Sequence, residues 1–449
     1  MTNYTLGFTQ LGLALVSAAA FLTACAATPQ GADPVGTPPI TPSDPDVEPR
    51  PTIPSMPPFT SSGNASMDAW RDDFAARAVS TGRDPIVVYE TLASIRPLDL
   101  YLSEEASIAK TGIADQAEFA KPIWDYVGSA VTTSRKTRGA EKLANLTATF
   151  DRIEAVHGVD REALTAIWAM ETNLGSYIGS FDAPNTLANM AVEGRRKSFA
   201  ERELTALMKL QEQGEVSRDQ LISGWAGAMG QTQFMPSTFL AYAVDGDGDG
   251  RKDLWNSEAD ALMSAANYLS VSGYQKDMPW GIEVIAPSGF DWAFADGQDR
   301  RMSTWLSKGL SPIQGGGFGV DEGTFAELWL PSGATGPKYL LFKNFDVFKT
   351  YNRSDSYAFS VGLLSNGVTG QHGPLTPWPT SLELLSNRDV MVLQDTLNRL
   401  GFDAGPVDGI AGRGTKGALR RFQSANGISP ADGFPTQQAL SQVVAAASG

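Results

Sequence analysis

The hydrophobic positions of this 449-residue chain change period along its length, and the changes divide it into zones. Between Leu11 and Thr23 lies a short apolar run rich in Leu and Ala, too short to span a bilayer well but suited to the core of a signal peptide. Beyond it, eleven prolines fall between Thr28 and Pro58, where a fixed φ and a missing N–H donor favour an extended tether. In polyproline geometry that stretch reaches about 90 Å. From Asp68 the period becomes helical, first through Trp70, Phe74, Ala78 and Val79, then through Glu118, Phe119, Ile123, Trp124 and Tyr126. Helical patterns continue over 137–157, 160–174, 199–213 and 258–271. Residues 280–345 are richer in Gly, Pro and aromatics, which predicts loops with short strands. Gly and Pro fill 367–379. Val390, Leu393, Leu397 and Leu400 then restore the helical period, and turns at Asp408-Gly409 and Asp432-Gly433 separate further helical stretches. The boundaries expected are a signal peptide over 1–24, a tether over 25–65, a mainly α domain with a small irregular or β lobe over 66–366, a linker over 367–380, and a small three-helix domain over 381–449.

Composition narrows the chemistry. Lys and Arg number 35 against 50 Asp and Glu, a formal charge of −15, so nucleic acid is excluded as the main partner by repulsion. Cys25 is the only cysteine, and His157 and His372 are the only histidines, so a disulfide or a histidine-based triad or zinc site is hard to build. Catalysis must lean on carboxylates, hydroxyls and amides.

One carboxylate stands out. In Arg161–Gly175 the residues Leu164, Ile167 and Trp168 share a helical face, and Glu171 occupies that face seven residues after Leu164. A carboxylate in an apolar stripe has its pKa raised, as a general acid requires. Gly175 is expected to end this helix and to allow a close approach. Taken alone, the segment suits a solvated or salt-bridged glutamate equally. A second segment, Gly224 to Ser237, is dense in Gly and small residues yet carries Gln231, Gln233 and Met235. Such a stretch presents amides to acetamido and hydroxyl groups.

Together, Glu171-Thr-Asn-Leu-Gly175 and Gly227-Ala-Met-Gly-Gln-Thr-Gln-Phe-Met-Pro-Ser237 resemble the lytic transglycosylases, most closely the family of membrane-bound lytic transglycosylase B. Ala266-Asn267-Tyr268 and Tyr351 to Tyr357 extend the match over about 300 residues in the family's order. The resemblance implies a lysozyme-like fold with Glu171 as catalytic acid/base and Gln233, Tyr268, Asn352 and Tyr357 in the substrate cleft. The implied reaction cleaves the β-1,4 bond between N-acetylmuramic acid and N-acetylglucosamine in peptidoglycan, leaving 1,6-anhydromuramic ends, with no cofactor needed for chemistry. Hydrolysis of the same bond by a muramidase, and a catalytically silent wall-binding lipoprotein, are the alternatives. One departure is visible: the family often carries Ser where this chain has Gly224. Aromatic core packing is an equal explanation for Tyr268 and Tyr357.

Asp245, Asp247, Asp249 and Asp253 fall at positions 1, 3, 5 and 9 of an EF-hand-like loop, with Gly250 at position 6 and Arg251 at the main-chain ligand position. Position 12 is Asn256. The resemblance supplies Asp260 in its place and implies a structural Ca²⁺. Leu22-Thr-Ala-Cys25 resembles a bacterial lipobox, which implies lipidation of Cys25 and residence at the periplasmic face of the outer membrane, although no Lys or Arg precedes the apolar run. Residues 381–449 resemble the three-helix peptidoglycan-binding domain found beside wall hydrolases. The partners so implied are glycan strands and, through the anchor, a membrane.

Overall fold

The computed structural model describes residues 56–102 and 122–448. Cys25, the signal segment, the tether up to residue 55, and Glu118 and Phe119 lie outside the described residues, while Ile123, Trp124 and Tyr126 of that expected stretch are described.

Local rules start the first helices. Asn64 caps α1 (Ala65–Ser80) by accepting from the Met67 N–H, and Asp84 caps α2 (Pro85–Leu92), which has proline in its first turn. The short α3 (Asp99–Leu102) follows. After the undescribed stretch come α4 (Ile123–Ala130), α5 (Thr133–Asn145) and α6 (Thr147–His157). The single helical pattern expected over 137–157 is therefore two helices, interrupted at Leu146, whose φ of −108° and ψ of 24° depart from helical geometry.

The next helix, α7 (Arg161–Thr172), is the axis of the domain. Every residue from Ala163 to Met170 is buried, so it is enclosed all round rather than striped. Against it pack α5, α6 and α11 (Glu258–Val271), while α8 (Ala183–Glu193), α9 (Lys197–Glu212) and α10 (Pro236–Tyr242) pack on one another in the same core, with a two-stranded ribbon of β1 (Phe181–Asp182) and β2 (Ile222–Ser223). Gly139 of α5 lets that helix approach closely, since a Cβ there would meet Val368 at 2.5 Å and Thr165 of α7 at 3.3 Å.

The stretch rich in Gly, Pro and aromatics folds as a separate lobe. Its strands are β3 (Gly281–Ile285), β4 (Arg300–Arg301), β5 (Ser311–Pro312), β6 (Phe325–Trp329) and β7 (Tyr339–Leu341), in the antiparallel order β4-β6-β7-β3-β5. Leu340 pairs with both Leu328 and Ile282, and α12 (Met302–Ser307) covers one face through the fully buried Trp305. The chain re-enters the helical core through α13 (Lys343–Phe348) and α14 (Asp355–Val368), which lies along α7.

Residues 367–380 are held against the sheet lobe. The Glu283 carboxylate accepts from the N–H groups of Leu375 (2.7 Å) and Thr376 (2.8 Å), and Trp378 sits edge-on to Phe359. Three helices then form the C-terminal module: α15 (Asn387–Arg399), α16 (Arg413–Ala425) and α17 (Gln437–Ser448), around Leu393, Leu397, Leu419, Phe422 and Val443. The architecture is mainly helical and lysozyme-like, with a small sheet lobe and a helical C-terminal domain, as expected from the sequence.

Candidate active site

The end of α7 sets the site. The helix stops at Thr172, two residues before the position anticipated from Gly175. Asn173 (φ 51°) and Leu174 (φ 62°) take left-handed conformations, and the Leu174 N–H returns to the Trp168 carbonyl at 3.1 Å. Asparagine tolerates that geometry, so it does the work expected of the glycine. Gly175 has a different duty: a Cβ there would stand 2.5 Å from Gln231 Oε1.

That contact brings in the second segment. The loop from Gly224 closes on itself through Met229 and Phe234, which exchange main-chain hydrogen bonds of 2.8 and 2.9 Å. Gln231 is buried and fastens the loop: its N–H donates to the Leu254 carbonyl, its Nε2 to the Trp255 carbonyl, and its own carbonyl accepts from Thr172 Oγ at 2.6 Å. Gly179 permits the same approach on the other side, where a Cβ would lie 2.1 Å from the Ser223 carbonyl oxygen. The loop is thereby stapled to the residue beside Glu171.

Glu171 is half-buried on the last turn of α7. The phenol of Tyr357, fully buried on the first turn of α14, donates to Glu171 Oε1. Burial, followed by the charge of Glu171, pushes the phenols of both Tyr357 and Tyr351 well above their ordinary value. Both therefore remain protonated at any physiological pH. Tyr351 extends the cluster to Tyr268, with ring centroids 5.5 Å apart, and Phe234 contacts both rings. The surroundings expected to be purely apolar thus include a hydrogen-bond donor aimed at the carboxylate.

The other sequence candidates take different places. Gln233 sits beside Phe234 with φ 51°, its Nε2 donating to the carbonyls of Gly230 (3.0 Å) and Ile178 (3.3 Å). Gln233 Oε1 faces Gly224, where a Cβ would be 2.8 Å away, so the amide uses space that the glycine leaves open. Tyr268 is half-buried and donates to the Thr350 carbonyl at 3.1 Å. Asn352 is buried and its Oδ1 accepts from the Ser354 N–H, shaping the turn that leads to Tyr357.

One contributor escaped the sequence reading. Glu203 of α9 is buried and accepts from both the N–H and the Oγ of Ser237, each at 2.9 Å. It supplies the helix cap that Met235 does not, because the Met235 side chain makes no capping bond. Nothing local to Glu203 announced this, since its partner is 34 residues away.

The acidic loop brings together three of its predicted ligands. One carboxylate oxygen from each of Asp245, Asp247 and Asp249 lies within 4.8 Å of the others. Asp260 does not join them. It is buried beneath the loop, where its oxygens accept from the N–H groups of Gly246 (2.7 Å), Asp247 (3.2 Å) and Asp253 (2.7 Å). Those bonds occupy a carboxylate in bracing the loop, which is why it is drawn away from the cluster. The Arg251 N–H donates to Asp249 and Asp253 caps the next turn through Trp255 and Asn256. Three converging hard oxygens fit calcium.

A family model described as the transglycosylase SLT domain matches residues 66–366, and one described as a putative peptidoglycan binding domain matches residues 386–442. Among solved structures, SltB3 from Pseudomonas aeruginosa in complex with NAG-anhNAM-pentapeptide is similar with a TM-score of 0.79 and 38% identity, over 85% of this chain and 100% of that one. The Escherichia coli lytic transglycosylase Slt35 in complex with calcium has a TM-score of 0.55 and 26% identity, over 72% of this chain and 98% of that one. Membrane-bound lytic murein transglycosylase B of E. coli is 30% identical over 233 residues, 49% of this chain; the match spans 59% of that relative's length.

Proposed function

This chain belongs to the transglycosylase SLT domain family, and from that premise we propose that it is a lytic transglycosylase. It cleaves the β-1,4 bond between N-acetylmuramic acid and N-acetylglucosamine in peptidoglycan and leaves 1,6-anhydromuramic ends. The observation that carries the reading is the pairing of Glu171 with the Tyr357 phenol beside the stapled Gly224–Phe234 loop.

The reaction needs one group to give a proton and then take one. Glu171 as the acid protonates the glycosidic oxygen, and the C1–O bond of muramic acid breaks. The resulting carboxylate then accepts the proton of the muramic 6-hydroxyl as O6 bonds to C1, so Glu171 is regenerated and no water is consumed. Ordinary glycosidases place a second carboxylate across the bond. Here the Tyr357 phenol donates to Glu171, and the proposed cycle calls on a single carboxyl group. The Tyr357 donor stabilises the carboxylate formed halfway through the cycle. Gln233, held in a left-handed backbone conformation, and the half-buried Tyr268 line the sugar cleft, while Asn352 and Tyr357 shape it from behind.

Digestion of purified sacculi followed by mass spectrometry separates the possibilities. Anhydro ends are the expected product; reducing ends would make the enzyme a muramidase, and no release would make it a binding protein. Glu171→Gln should abolish release.

Two further parts belong to this reading. The Asp245–Asp249 loop holds a structural Ca²⁺ through Asp245, Asp247 and Asp249, away from the chemistry. Cys25, after its apolar run, carries a lipid anchor that keeps the enzyme in the cell envelope at the outer membrane. No helix among the described residues is long and apolar enough to cross a membrane.

A further inference from the structure

The turn that follows Glu171 is strained. Asn173 and Leu174 adopt left-handed conformations in succession, with φ of 51° and 62°, and neither is glycine. Asparagine visits that region routinely, but leucine stays there only where its surroundings impose it. Leu174 is buried, and the turn bonds back onto α7. The Leu174 N–H donates to the Trp168 carbonyl at 3.1 Å, the Gly175 N–H to Thr172 Oγ at 3.0 Å, and the Tyr177 N–H to the Thr172 carbonyl at 3.1 Å. All three bonds are local.

A further clamp comes from another helix. Lys142 of α5 lies 4.9 Å from the centre of the Trp168 ring, and Arg138, one turn earlier, reaches Asn173 just past the end of α7. The two helices therefore run antiparallel, and Gly139, beside Arg138, provides their close approach. Arg138 Nη2 donates to the Asn173 carbonyl at 3.1 Å and to Ser176 Oγ, and Ser176 Oγ donates to the same carbonyl at 2.7 Å. Among the described residues Arg138 pairs with no carboxylate, so its charge is directed at this turn. A cation at the C-terminal end of a helix meets the negative end of its dipole and carbonyls that lack an intrahelical donor.

We infer that Arg138 is a positioning residue: it clamps the left-handed turn and thereby fixes the last turn of α7, which carries Glu171. The inference rests on Glu171 being the acid/base of the proposed reaction. That carboxyl group serves two successive proton transfers, so it must stay within hydrogen-bond reach of two different oxygens. A misplacement of about 1 Å can cost about a hundred-fold in rate.

The test follows steady-state formation of anhydro product from soluble glycan oligomers by the full chain, as wild type, Arg138→Met, Asn173→Gly and the double variant. Arg138→Met should lower kcat by at least about ten-fold and leave KM within about two-fold. Glycine takes a positive φ without steric cost, so adding Asn173→Gly to Arg138→Met should restore part of kcat, which a general loss of packing would not allow. A raised KM with kcat unchanged would place the guanidinium on the substrate and overturn the inference, as would a double variant no faster than Arg138→Met. Hydrogen exchange reads the turn without turnover: the amides of Leu174, Gly175 and Tyr177 should exchange faster in Arg138→Met, with those of Ala163 to Trp168 unchanged. Unaltered exchange at the turn, or faster exchange along all of α7, would overturn the clamp. Where Arg138→Met misfolds, Ser176→Ala, at an exposed site, weakens the same clamp; it should lower kcat in the same direction, and an unaltered kcat there would overturn the inference. Absence of product from the wild type would defeat the proposed reaction and this role together, whereas product formation untouched by Arg138→Met would defeat the role alone.

Discussion

Replacing Tyr357 by phenylalanine removes one oxygen from a fully buried side chain and leaves the ring packed between α7 and α14. The oxygen lost is the donor to Glu171 Oε1. A hydrogen bond to a charged group is worth about 1.5–3 kcal/mol, and a shift of one unit corresponds to about 1.36 kcal/mol. Part of that bond survives when Glu171 is protonated, so the difference between its two states is smaller than the whole. A donor favours the carboxylate, and its loss favours the acid. The alkaline limb of the rate profile, which reports deprotonation of the proton donor, should therefore move up by about one pH unit. The assay is anhydro-muropeptide release from purified sacculi across a pH series, for wild type and Tyr357→Phe. Stability should fall by about 1–2 kcal/mol at most, because half-buried Glu171 can recover part of the bond from water. A limb that stays in place, or moves toward acid, refutes the assignment of Tyr357 as the group that tunes Glu171.

Two other outcomes follow from the same structure. Millimolar calcium should raise the melting temperature of the wild type, by an amount equivalent to about 2.7 kcal/mol at a hundred-fold excess over Kd, and a chelator should reverse it; Asp245→Asn should lose the response, and a wild type indifferent to both reagents would remove the ion from the loop. Burial holds the Glu203 carboxyl above its ordinary value, partly opposed by its bonds to Ser237. A carboxyl raised in the fold contributes stability at low pH that disappears as pH rises through its folded value. Wild type should thus lose thermal stability relative to Glu203→Gln between about pH 4 and neutrality, and a gap that does not vary with pH would show that the carboxyl is not raised.

How much was legible depended on the range of the interaction. Periodicity located α1, α9, α11 and the module helices because a helix is decided by neighbours three and four positions away. The same reasoning placed the end of α7 at Gly175, and the structure ends it at Asn173, since two residue types satisfy one left-handed turn. It also ran α5 and α6 together, because the apolar spacing continues through the break at Leu146. Glu171 and the Gly224–Ser237 segment were recognisable as motifs, yet neither contained the reason that they meet.

The chain by itself determined α1, α7, α9, α11 and the module helices, where the sheet lobe begins, and which helix carries the candidate carboxylate, but not α2, α8 or α14. Tertiary structure decided that Tyr357 reaches Glu171 across 186 residues, that Gln231 bonds to Thr172, and that Asp260 braces a loop instead of joining its cluster. The physical reason is that backbone conformation is a local choice, whereas the partner of a buried polar group is whichever donor or acceptor the folded core leaves within reach.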